Sequence, residues 1–367
     1  MARWEESDTV PLSDDGGNTY TLPTFVHVDE DVFDRERSTI FADSWQYAGS
    51  RRAISSSGDY FTAEIAGRPV LVIRAEDGSI RAFYNVCPHR GSRMLDGTGR
   101  TERIMCPYHN WTFDTNGEFC TAPKAFSTAV RNPDLDDAAV DGPDSCENSL
   151  HSLAVDTLGP FVFVNVASDP TPFDELVGRI PGELADRGVG ALRLAQRRET
   201  DLECNWKIMV SNYLECDHCH SNHPDFVRAV DMDEYTVEVG EYHSTQYGPI
   251  TDDEGSVVGE SRFYFLWPNT TINIYEEGRG CAVYRIDPRG PETTRLTAHY
   301  YFEDDELTDE RSEIVERSLQ LQREDFELVE RQHEGVRSGA LQQGRFGPNE
   351  HAVHHFHELV EDQLDLR

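Results

Sequence analysis

Residues 87–114 read CPHRGSRMLDGTGRTERIMCPYHNWTFD, and the Cys and His positions within this stretch decide the fold of the first half of the chain. Cys87-Pro88-His89 is followed by 16 residues and then by Cys106-Pro107-Tyr108-His109. Each loop therefore offers one thiolate and one imidazole. A tetrahedral zinc ion can take two of each, but zinc fingers place both cysteines in one hairpin and both histidines on a helix. Mixed pairs on two separate loops suit a dinuclear [2Fe–2S] cluster, one iron held by Cys87 and Cys106 and the other by His89 and His109. A neutral imidazole in place of a thiolate removes negative charge from such a cluster and raises its reduction potential.

Outward from the loops the texture is β. From Gly58, apolar and polar side chains alternate through YFTAEIAGRPVLVIRAEDGSIRAFYNVC, with turn signals at Ala66-Gly67 and Asp77-Gly78. Asn116-Gly117 marks a further hairpin, and GPFVFVNVA at 159–167 closes the region. Residues 27–48 mix apolar and charged side chains at helical intervals and predict one or two helices. TPFDELVGRIPGEL turns helical again, and strands are predicted at SRFYFLWP, TINIY, CAVYRID and TRLTAHYYF. An amphipathic helix is predicted over 308–338, opening at Thr308. The result is an α+β chain in three parts. Residues 1–45 form a helical segment packing on the catalytic domain, 46–167 the β domain carrying the cluster, and 168–367 a mixed domain closed by a long helix.

The chain has 367 residues, with 33 Lys or Arg against 68 Asp or Glu and a formal net charge of −35. Such a surface repels nucleic acid and anionic membranes. No apolar run approaches the roughly 20 residues that span a bilayer. MARWEESDTV has neither the basic start nor the apolar stretch of a secretory signal. A soluble cytoplasmic protein is expected. Lys124 and Lys207 are the only lysines, every other basic residue being arginine, and the acids are scattered. That composition suits a halophilic protein, whose salt-loaded cytoplasm screens like-charge repulsion. The eight cysteines are expected to be thiols or ligands, not a disulfide framework.

A second constellation lies at 204–224, CNWKIMVSNYLECDHCHSNHP. His218 and His223 are five apart and face one metal only if the helix ends between them, and Pro224 supplies such an end. Glu215 stands one helical turn before His218. In the closing helix Leu321, Leu328 and Val329 share a face with Asp325, where an unpaired carboxylate is costly. Glu324, Glu327 and Glu330 read as a solvated face. Asp325 is either half of a buried salt bridge or a metal ligand. In the second case His218, His223 and Asp325 make the 2-His-1-carboxylate triad of non-haem Fe(II) oxygenases.

CPHRGSRM and CPYHNWTFD resemble the two loops of Rieske proteins. The extra loop cysteines of respiratory-chain Rieske proteins are absent, which predicts a potential at the low end of the Rieske range, and Asn110 stands where glycine is common. Over essentially its whole length the chain resembles the terminal oxygenase (alpha subunit) of Rieske non-haem iron oxygenases. NWKIMVSNYLECDHCHSNHP matches the mononuclear-iron segment, and QREDFELVERQHEGVRSGALQQGRFGPNEHAVHHFHELVEDQL the carboxylate helix and tail. The resemblance implies a helix-grip catalytic domain (START/Bet v 1-like), with an antiparallel sheet around the long helix, and a homotrimer. It assigns Asp325 as the carboxylate ligand and Glu215 as the acid linking the two metal sites across the subunit contact. It also implies electrons from an NAD(P)H-dependent flavin/iron–sulfur reductase or a ferredoxin, with O₂ and a small molecule as substrates. Glu at 215 is typical of the branch acting on quaternary ammonium compounds such as choline, carnitine and glycine betaine, by hydroxylation or oxidative N-demethylation. That branch usually has Tyr where this chain has Asp217. The alternatives are an aromatic ring-hydroxylating dioxygenase or O-demethylase, and a Rieske electron carrier without its own catalysis.

Other residues have plainer readings. His220 is a surface histidine, Cys216 and Cys219 are small packing residues on the helix carrying Glu215, and His351, His354, His355 and His357 are exposed on a terminal helix. Phe263, Phe265, Trp267 and Tyr275 are expected in strand packing, with a share in a substrate pocket. An aromatic cage there attracts a quaternary ammonium through cation–π contacts.

Overall fold

A computed structural model describes residues 20–122, 148–252, 256–275 and 280–366. Helix Glu30–Ser38 starts where the Asp29 carboxylate accepts the Val32 amide, satisfying a free donor of the first turn. It buries Glu36, which receives the Lys207 ammonium on one oxygen and Trp206 Nε1 at 2.8 Å on the other. Strand Tyr20–Pro23 pairs with Gln343–Arg345 near the opposite end of the chain.

The β region contains a seven-stranded antiparallel sheet, in the order 46–50, 161–165, 152–158, 80–84, 68–74, 59–65 and 98–100. A three-stranded sheet of 104–105, 112–113 and 119–121 carries the second loop. The expected turns are present: Ala66, Gly67, Gly78 and Gly117 all take positive φ. At Gly117 a Cβ would meet the Phe83 ring at 2.4 Å, so this turn needs glycine for space as well as conformation.

The second half is a curved seven-stranded antiparallel sheet, in the order 193–202, 293–302, 281–290, 270–274, 257–266, 243–251 and 236–239. It grips the 29-residue helix Asp309–Arg337, which Thr308 caps by accepting the Arg311 amide. The four strands expected between 257 and 302 form. Arg193–Leu202, Thr236–Val239 and His243–Thr251 add three that the sequence reading missed. The first two are edge strands: charged residues interrupt the alternation of RLAQRRETDL, and TVEV is only four residues long. The outer face of this sheet meets the β region directly. Tyr47 and Tyr301 hydroxyls lie 2.5 Å apart, and the Phe161 and Tyr301 ring centroids 5.0 Å.

Candidate metal centres

The two Cys-His loops are built alike. Cys87 N–H donates to Ser92 O and Gly91 N–H to Cys87 O, while Cys106 N–H donates to Trp111 O and Asn110 N–H to Cys106 O. Gly91 and Asn110 thus occupy equivalent places, with φ of 76° and 56°. Asn is among the few non-glycine residues that tolerate this conformation, which accounts for the departure at 110. Both sulfurs are buried and receive amides, Cys87 from His89 and Arg90, and Cys106 from Tyr108 and His109. Burial pushes the Cys87 thiol up, whereas at Cys106 these amides, the Cys87 thiol and the Ser92 hydroxyl outweigh burial and hold it down. The His89 and His109 rings stand 4.7 Å apart, and His109 Nδ1 is buried with no protein partner. Two adjacent sulfurs, two adjacent imidazoles and an orphaned ring nitrogen fit a [2Fe–2S] cluster. Trp111 stacks on His89 and Tyr108 lies against His109.

The helix Trp206–Tyr213 ends before Glu215. The Glu215 carboxylate then organises a turn, taking the Asp217 amide at 2.5 Å on Oε2 and His218 Nδ1 at 2.5 Å on Oε1. A one-turn helix, Cys219–Asn222, separates His218 from His223, and Pro224 opens the next. This break turns both imidazoles to one point. His218 Nε2 lies 3.2 Å from His223 Nε2, His223 Nε2 lies 3.0 Å from Asp325 Oδ1, and His218 Nε2 lies 3.3 Å from Asp325 Oδ1. Adjacent positions on an octahedral ion with bonds of about 2.1 Å are about 3.0 Å apart, so the donor set fits a facial triad. With only protons present, burial opposes charge on His218, but Asp325 and Glu215 outweigh it and lift the imidazole to about 9. His223 is raised for the same reason by Asp325 and Glu324, and the two imidazoles hold Asp325 down against its burial. The site is electrostatically prepared for a cation. Cys219 lies within 4.8 Å of both imidazoles, but its sulfur is taken by Cys216.

Beside the triad the helix-facing side of the sheet carries aromatic rings. Phe263 packs on Phe226, three residues after His223, with centroids 5.8 Å apart. Tyr213, Tyr275 and Tyr284 lie deep enough for burial to raise their phenol pKa, yet each keeps accessible surface. Ser318 Oγ gathers Tyr275, Tyr284 and Tyr300 hydroxyls at 3.2, 2.7 and 3.2 Å, on the same helix face as Asp325 two turns later.

A family model of the ring hydroxylating alpha subunit catalytic domain matches residues 189–366, and a Rieske [2Fe-2S] domain model matches 44–132. The carnitine monooxygenase oxygenase subunit of Escherichia coli (strain K12) is 32% identical, with 93% of each chain covered. The chain belongs to the Rieske non-haem iron oxygenases, as a terminal oxygenase alpha subunit. Choline monooxygenase, chloroplastic, of Arabidopsis thaliana is 30% identical over 94% of this chain and 83% of that one. A quaternary ammonium Rieske monooxygenase solved with L-carnitine superposes with a TM-score of 0.81 at 31% identity, covering 94% of this chain and 95% of that one. Naphthalene 1,2-dioxygenase, at 18% identity and a TM-score of 0.71, shares the fold. As a Rieske oxygenase the chain is an oxidoreductase holding a [2Fe–2S] cluster and a mononuclear iron, supplied with electrons by a reductase partner, and it is multimeric. That excludes a bare electron carrier. Among the described residues no helix is long and apolar enough to cross a membrane.

Several expectations need correction for this oxygenase. Cys216 and Cys219 form a disulfide, with Cα atoms 5.0 Å apart, because the turn organised by Glu215 brings them together. Phe265 and Trp267 are almost wholly buried and pack on Phe356 of the C-terminal helix His351–Gln363. His351 is exposed as expected and His354 and His355 are half-buried, but His357 is buried, its Nδ1 accepting the Leu22 amide at 3.0 Å; His351 and His355 donate to the Val237 and Glu241 carbonyls. Asp217 points away from the triad and accepts from Asn349 at 3.1 Å. Glu324 is not simply solvated: its Oε2 lies 2.8 Å from His223 Nδ1. Sequence periodicity had no means of finding Tyr284, Tyr300 and Ser318, which converge from three elements. Lys124 and Cys146 lie outside the described residues.

Proposed function

We propose that this oxygenase oxidises an N-methyl group, or an adjacent carbon, of a small quaternary ammonium compound. The observation that carries this reading is the convergence of His218, His223 and Asp325, with the aromatic pair Phe226 and Phe263 packed beside the segment that holds His223. Ring faces hold a quaternary ammonium by about 0.5–2 kcal/mol each, more when desolvated. Relatives named for carnitine and choline oxidation, at 30–32% identity, support the same substrate class.

Cys87, His89, Cys106 and His109 hold the cluster, and His218, His223 and Asp325 the mononuclear iron. When bound, the two centres supply single-electron transfer and O₂ activation. Glu215 keeps the proton on His218 Nδ1, leaving Nε2 free to ligate, and stands where a neighbouring subunit's cluster histidine meets it in a homotrimer. Phe263 and Phe226 shield the approach to His223 from water. Tyr275 borders the substrate in this reading, and Ser318 fixes its hydroxyl. Hydroxylation of an N-methyl carbon yields an N-hydroxymethyl ammonium, whose C–N bond breaks with loss of the hydroxyl proton to give formaldehyde and the tertiary amine. The electron donor is an NAD(P)H-dependent flavin/iron–sulfur reductase or a ferredoxin, and the setting a salt-rich cytoplasm. The three parts 1–45, 46–167 and 168–367 are supported by the first large sheet opening at Gln46 and closing at Asn165.

The test is reductase-coupled O₂ uptake in multimolar KCl with choline, carnitine, glycine betaine and simple aromatics, with formaldehyde detection. Ammonium-dependent uptake is expected. Turnover of aromatics alone overturns the substrate class, and full turnover by Asp325→Ala overturns the triad.

A further inference from the structure

Glu324, Glu327 and Glu330 follow one another along the long helix, and their environments separate them. Glu327 pairs with Arg331 on the surface, and Glu330 accepts the Glu203 amide at 3.0 Å. Glu324 instead turns inward. Its Oε2 lies 2.8 Å from His223 Nδ1, and its Oε1 accepts Gln320 Nε2 at 3.0 Å. His223 is only 2% exposed, so its Nδ1 has little access to water and depends on this carboxylate.

We propose that Glu324 is a positioning residue for the mononuclear iron, holding the Nδ1 proton of His223 as Glu215 holds that of His218. The proposal rests on the triad reading above. A neutral imidazole carries one proton, and the group that receives it decides which nitrogen is left to ligate. With Nδ1–H on Glu324, the lone pair of Nε2 points at Asp325 Oδ1 and His218 Nε2, 3.0 and 3.2 Å away. One step along the helix therefore supplies both a ligand, Asp325, and the group orienting another ligand, Glu324. Gln320, one turn earlier, fixes that carboxylate in turn. The three carboxylates of Glu215, Glu324 and Asp325 sum to −3 and outweigh the +2 of a ferrous ion. Removing one of them favours the ferrous state over the ferric.

The test uses the full chain with its cluster intact and its mononuclear site emptied by mild chelation, then titrated with Co(II), whose visible ligand-field bands report geometry. Wild-type protein should take one Co(II) per chain and Asp325→Ala none. Undiminished Co(II) uptake by Asp325→Ala refutes the triad reading whatever Glu324 does. With that control passed, Glu324→Ala should weaken Co(II) and Fe(II) binding roughly 10- to 100-fold and shift the Co(II) bands. Glu324→Gln, nearly isosteric and still able to accept Nδ1–H through its amide oxygen, should recover most of the affinity while raising the ferric/ferrous potential. Unchanged affinity and bands in Glu324→Ala, or an unchanged potential in Glu324→Gln, overturn the proposal. The visible circular dichroism of the Rieske cluster confirms that each variant is folded.

Discussion

Lys207 offers the sharpest stability prediction. Its ammonium and the Glu36 carboxylate are both wholly buried, and Trp206 Nε1 occupies the second Glu36 oxygen at 2.8 Å. Lys207→Met keeps most of the stem volume and removes the charge, leaving a buried carboxylate with only an indole N–H. Breaking one side of a buried pair destabilises by about 3–5 kcal/mol, a large part of a typical total of about 5–15 kcal/mol. At about 2–4 °C per kcal/mol for a domain of this size, the unfolding midpoint should fall by about 6–20 °C. The double variant Glu36→Gln, Lys207→Met removes both charges and should return to near the wild-type midpoint. Lys207→Arg should also destabilise, because a planar guanidinium does not fit a fully enclosed ammonium site. Thermal and denaturant unfolding followed by far-UV circular dichroism in constant KCl checks all three. A Lys207→Met midpoint within 1 °C of wild type, or a double variant weaker than the single, refutes the reasoning.

Acid stability provides another check. Burial, aided by nearby cations, pushes His299 and His357 down to about 3, against about 6.5 in an unfolded chain. Above pH 6.5 both are neutral in either state and stability is full. Below it the unfolded chain takes up protons that the fold refuses, each histidine removing about 1.4 kcal/mol per pH unit as the pH falls towards 3. From pH 6.5 to 5 the pair should remove about 3 kcal/mol, and His357→Gln should remove half of that slope in urea unfolding. At Asn110, with φ of 56°, Asn110→Val should destabilise the second cluster loop by about 1–2 kcal/mol, while Asn110→Gly should not. Thermal loss of the cluster's visible circular dichroism separates the two. Raising KCl from 0.1 to 1 M shortens the screening length from about 10 to about 3 Å and should raise the midpoint of this −35 chain; a fall would argue against salt adaptation.

Several features were legible because they depend on neighbours in the chain. Paired Cys-x-His and Cys-x-x-His loops can be recognised without any tertiary contact, and Asn116-Gly117 marks its hairpin by conformational preference alone. Asp325 was recognisable because helical periodicity places it among Leu321, Leu328 and Val329. The helix break between His218 and His223 followed from Pro224. Within that break the sequence suggested a continuous helix through Glu215, and there the local rule failed, because the Glu215 carboxylate takes the Asp217 amide and organises a turn.

What only the tertiary structure decided are the contacts between distant residues. Glu324 lies 101 residues from His223, and helical periodicity placed it on the solvent side. It reaches the imidazole because the metal segment packs beside that edge of the helix. Phe263 and Phe265 share a strand face, yet one meets Phe226 beside the triad and the other Phe356 in the core. Alternation assigns a face, but which helix covers each point of it is decided only by packing. The sequence by itself therefore determined which side chains are chemically able to hold the metals and on which faces they lie. The fold decided which carboxylates reach the ligand histidines and which rings pack beside them, since those choices depend on distances between segments that no local preference encodes.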